Sequence, residues 1–182
     1  MISRNFPSCR ARELFEAIST IVESGYVLVR DERDRRITGI VTASDLSLQF
    51  QNLAEPFLLL REIELQIRRL LGDKLSINDF DLLGPAPGAK NKAQTVADLT
   101  FGQYLKLFQH PHVWMKLGLK IDCATLTELL DEVRVIRNDV MHLDPDPMTP
   151  EELGTLKRTV RFMQDLHELL PKGPPLSAGA NA

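Results

Sequence analysis

The chain has 182 residues, 43% of them hydrophobic but only 6% aromatic, and a formal net charge of -3. That length allows one medium domain or two small ones, and the composition is that of a globular protein, not a membrane-embedded or disordered one. Net negative charge argues against a broad nucleic-acid-coating surface and leaves room only for a local basic patch.

Residues 1–52 mix helical and strand periodicity. Leu14, Phe15, Ile18, Ile21 and Val22 recur at helical spacing, and Gly25 follows as a C-cap. Tyr26-Val27-Leu28-Val29 reads as a strand, Asp31 to Arg35 as a charged turn, and Ile37 to Val41 as a second strand. Thr42 with Asp45 three residues on reads as an N-cap, opening a helix through about Phe50. The predicted order is α-β-β-α.

Residues 53–170 read as helices with one Gly/Pro-rich interruption at 83–95. Pro56 suits a first helical turn. Behind it Leu60, Ile63, Ile67, Leu70 and Leu71 make one stripe, while Arg61, Glu62, Glu64, Arg68 and Arg69 face away. Gly72 lies at or near that helix's end. Three more starts carry a capping signature: Thr100 with Gln103, Thr125 with Glu128, and Thr149 with Pro150 and Glu152. The Pro/Gly/Ala-rich tail, residues 171–182, is expected to be disordered.

The two cysteines, Cys9 and Cys123, have no Cys/His ligand spacing around them. That excludes a disulfide scaffold and a zinc ribbon, and fits a reducing compartment. The first fifteen residues carry charge throughout and lack the apolar core of a secretory signal. The densest apolar run, Phe57 to Leu60, is far short of the ~20 residues a membrane helix needs. A soluble, cytoplasmic protein without a membrane partner is expected.

Two motifs carry candidate chemistry. The first is Gly39-Ile40-Val41-Thr42-Ala43-Ser44-Asp45, which sets a hydroxyl and a carboxylate where a strand turns into a helix. A helix N-terminus offers unpaired N–H groups to phosphate, and Asp45 could accept hydrogen bonds from ribose hydroxyls. The same two residues also suit a plain helix cap. With GYVLVRD leading into GIVTASDL, residues 2–52 resemble a CBS domain, Ile2-Ser3 standing where the family's short first strand begins. The resemblance implies that Gly39, Thr42 and Asp45 contact an adenine nucleotide such as AMP, ATP or S-adenosylmethionine. Such motifs act in pairs and only one is present, so either two chains pair or the sequence is a piece lacking a second motif. Tyr26-Val27-Leu28 stands in place of the family's small-Pro-Val entry.

The second motif is Arg137-Asn138-Asp139-Val140-Met141-His142, at the end of a helix whose stripe runs Leu126, Leu129, Leu130, Val133, Ile136 and Val140. At about 100° per residue, Arg137 leaves the edge of that stripe, and His142 points about 140° away from it. Asn138 and His142, four apart, share a face. Asp144-Pro145 stops the helix, leaving His142 at a C-terminus whose dipole favours cations. With the surrounding helices, Arg137-Asn138…His142 resembles the R-x(4–6)-H motif of the HEPN superfamily over residues 53–170. Many members are dimeric, metal-independent ribonucleases, and others only bind. The resemblance implies that Arg137, Asn138 and His142 are catalytic, with His142 exchanging a proton and Arg137 stabilising phosphorane charge. His142 could instead bridge to Asp144 or Asp146.

Lys157, Arg158 and Arg161 cluster on the outer face of the last helix, a solvated face or a hold on an RNA backbone. His110-Pro111-His112 reads as an interhelix turn more readily than as a metal site, and Phe108 and Trp114 as core. No phosphate-binding glycine loop, nucleophile elbow or H-E-x-x-H occurs. The expectation is an α+β protein, a small α-β-β-α segment followed by a mainly helical bundle. It is expected to work as a cytoplasmic homodimer that joins nucleotide sensing to RNA cleavage, or as a non-catalytic regulatory and dimerisation module.

Overall fold

The computed structural model describes residues 11–31, 33–84, 93–142 and 148–169. The chain divides into two compact units, Met1–Glu55 and Pro56–Ala182.

The first unit carries helix α1 (Ala11–Ser24), strands β1 (Tyr26–Arg30) and β2 (Ile37–Thr42), and the opening of α2 (Ala43–Leu71). Gly25 ends α1 with φ at +85°, a conformation that costs a side chain-bearing residue dearly, while its N–H donates to the Ile21 carbonyl at 2.8 Å. The two strands pair antiparallel, Tyr26 opposite Thr42 and Leu28 opposite Ile40, with an irregularity between Val29 and Arg30. Asp31 organises the turn, its Oδ1 accepting from the Arg33 N–H at 2.7 Å. Of the large apolar side chains whose burial is described in this unit, Ile21 alone is fully buried. Val22, expected on the same stripe, is exposed. Tyr26, Leu28 and Ile40, on one sheet face, are also about half exposed.

The second unit holds the rest of α2, then α3 (Ile77–Phe80), α4 (Phe101–Gln109), α5 (Pro111–Leu117), α6 (Cys123–Met141) and α7 (Pro150–Leu169), with 3-10 turns at Gly72–Lys74 and Val96–Asp98. The α2 stripe Leu60, Ile63, Ile67, Leu70 and Leu71 is buried as expected. It joins Tyr104, Leu107 and Phe108 of α4, Leu126, Leu130 and Val133 of α6, and Leu156 and Met163 of α7 in one core. Phe108 and Trp114 meet edge to face, their centroids 6.5 Å apart. Among the described residues no helix is long and apolar enough to cross a membrane.

Three local expectations are corrected. The helix opened at Thr42 does not stop near Phe50 to restart at Pro56. It runs on through Leu71 with Pro56 inside and buried, although a proline lacks the N–H for the helix ladder and is an ordinary stop signal. Helix α6 begins one residue after Asp122, whose carboxylate accepts from the Thr125 N–H at 3.1 Å, so Asp122 and not Thr125 is the cap. Glu64 and Arg68 do not simply face away. Arg68 Nε donates to the Tyr104 hydroxyl at 3.0 Å, which in turn donates to the Val96 carbonyl at 3.1 Å, while Arg68 also pairs with Glu64. Tyr104 is fully buried, so its hydroxyl needs those partners. The boxes at Thr100–Gln103 and Thr149–Glu152 form as expected. The tail from Pro171, the Ile2-Ser3 pair and most of the 83–95 loop lie outside the described residues.

Asp79 joins α3 to α5. Its carboxylate, 2% exposed, accepts from Lys116 Nζ at 2.7 Å and from the Ser76 hydroxyl and N–H, each at 2.7 Å. Burial alone raises a carboxyl, but the Lys116 ammonium and the two Ser76 donors outweigh it and hold Asp79 at about 2. The folded value is therefore below the unfolded one. The stabilisation, roughly 2 kcal/mol by linkage, is complete above about pH 4 and is lost as pH falls towards 2. Urea unfolding of wild type and Lys116→Met from pH 6 to pH 2.5 checks this. The variant is expected to be less stable at pH 6 and the gap to narrow on acidification.

Candidate functional site: the end of helix α6

Helix α6 sets the site because its apolar residues repeat every three or four positions and press one face into the core. Ile136 is buried and Val140 half-buried on that face. Arg137, one position beyond Ile136, is drawn to the boundary and is half-buried, as its place at the stripe's edge predicts. Its Nη1 donates to Asn138 Oδ1 at 3.4 Å. The two polar groups thus stand together at the rim of the core.

His142 is the C-cap, its N–H donating to the Asn138 carbonyl at 2.9 Å. That bond sets the backbone of Asn138 and His142 one turn apart, and leaves the imidazole exposed where α6 ends. Arg137, Asn138 and His142 therefore occupy one helix end, with Arg137 and His142 on diverging sides. The arrangement supplies a permanent cation, an amide and an accessible imidazole within two turns. These are the parts that anion binding and proton transfer at a phosphodiester require. Asp144 and Asp146, the alternative partners for His142, lie outside the described residues.

On α7, which packs beside α6, Lys157, Arg158 and Arg161 are all exposed. Arg158 Nη2 reaches back to the Thr155 hydroxyl at 2.9 Å, which fixes its guanidinium along its own helix.

At the strand-to-helix junction of the first unit, Gly39 sits in β2 opposite Val29, and Thr42 ends the strand. Thr42 N–H and hydroxyl both donate to Asp45 Oδ2, at 2.9 and 2.8 Å, and the Asp45 N–H approaches Thr42 Oγ1 at 3.3 Å. Thr42 and Asp45, two of the three residues expected to hold a nucleotide, form a closed capping box. A ribose hydroxyl reaching Asp45 would meet a carboxylate that already accepts twice from Thr42 on Oδ2. Thr42→Ala is expected to cost about 1 kcal/mol of stability, read as an earlier loss of far-UV circular dichroism on heating.

His110 caps the end of α4 and the start of α5, and Pro111 and His112 already belong to the first turn of α5, so the expected interhelix turn narrows to His110 alone. Among the described residues no group of three His, Cys, Asp or Glu side chains is placed to hold a metal ion. Burial raises the Cys123 thiol above its usual range, with Asp122 adding to the rise, and the thiol meets the Phe108 carbonyl at 3.3 Å. Such a thiol is a poor nucleophile.

The motif reading missed the Asp79–Lys116 pair, whose edge His112 Nε2 approaches at 3.8 Å. The S-x-x-D box at Ser76 was readable, but the lysine is 37 residues away in sequence. Comparison with family models, curated proteins and solved structures returned no match.

Proposed function

We propose that this chain is a homodimeric, cytoplasmic endoribonuclease of HEPN type that needs no metal, with a CBS-like first unit that senses an adenine nucleotide. The observation that carries the reading is the grouping of half-buried Arg137 and Asn138 with exposed His142 at one end of α6. In the reaction, the 2′-oxygen attacks phosphorus and the bond to the 5′-oxygen breaks. His142 takes the proton of the 2′-hydroxyl or gives one to the leaving 5′-oxygen, and water carries the other of these two transfers. Arg137 offsets charge on the phosphorane oxygens, and Asn138 orients the phosphate or the histidine. The products are a cyclic 2′,3′-phosphate and a free 5′-hydroxyl. Lys157, Arg158 and Arg161 hold the RNA backbone.

The test is cleavage of a labelled single-stranded RNA by wild type and His142→Ala, in EDTA, with and without AMP, ATP or S-adenosylmethionine. Equal activity in both proteins, or activity that EDTA abolishes, would sink the mechanism. Nucleotide sensing is tested by calorimetry with the same three ligands. It fails if no heat is seen, or if Asp45→Ala binds as well as wild type.

A second reading has its own observation. The closed Thr42–Asp45 box and the apolar side chains left exposed across the first unit fit a module that pairs with protein and performs no chemistry. It predicts a dimer with no cleavage activity.

A further inference from the structure

We draw no further inference here: the strongest candidate, the half-exposed apolar face that Tyr26, Leu28 and Ile40 form on the two-stranded sheet of the first unit, carries nothing because nothing in the structure shows what covers it.

Discussion

Under the proposed ribonuclease mechanism, replacing His142 with alanine is expected to lower RNA cleavage by about 10²–10⁴-fold, the usual worth of a positioned general acid or base. The imidazole is exposed at the C-cap of α6, so its removal empties no part of the core. The cap bond is made by its backbone N–H, which alanine keeps. Unfolding midpoints of the two proteins should therefore agree closely while activity diverges. Arg137→Lys sharpens the reading. Lysine keeps the positive charge but loses the planar set of donors, so a fall of about 10²-fold in cleavage with preserved RNA binding is expected if the guanidinium acts on the transition state. If His142→Ala cleaves as fast as wild type, the chemistry lies elsewhere and the pairing module becomes the better account.

The largest loss of stability is expected from Phe108→Ala. Phe108 has no exposed surface, belongs to the shared core of α2, α4, α6 and α7, and supports Trp114 edge to face. Deleting a buried phenyl ring costs about 3–5 kcal/mol, part of it lost transfer energy and part the cavity left behind. The urea midpoint of the second unit should fall accordingly with an unchanged dependence on denaturant. Trp114→Ala should cost less, because Trp114 is only half-buried. A loss below about 1 kcal/mol for Phe108 would mean that the core of this unit closes over the gap.

The stripes on α2 and α6 were legible because each side of a helix is written at a fixed spacing, and burial follows that spacing. The errors arose where two local signals compete. Thr125 with Glu128 has the form of a capping box, but Asp122 one turn earlier offers a carboxylate to the Thr125 N–H, and the helix starts there. Pro56 fits a first turn, yet it sits within a helix already under way from Ala43, which continues past it despite the lost hydrogen bond and the crowding of the carbonyl four residues back. What the sequence could not disclose were pairings across long separations. Arg68 with Tyr104, and Lys116 with Asp79, join residues 36 and 37 positions apart. In each case only the folded arrangement of several helices decides which polar group meets which. The candidate site was legible for the same reason as the stripes. Arg137, Asn138 and His142 lie within one helix end, so their mutual placement is set by helix geometry alone.

Reciprocal boxes close the starts of five turns, at Thr42–Asp45, Ser76–Asp79, Thr95–Asp98, Thr100–Gln103 and Thr149–Glu152. They also bear on time. Each is closed by residues three apart, so the chain can mark where its turns begin before any distant segment arrives, at almost no loop-closure cost. The search left to the collapsing chain is then the docking of helices whose beginnings are already written, a low-contact-order problem of the kind small helical proteins solve within milliseconds.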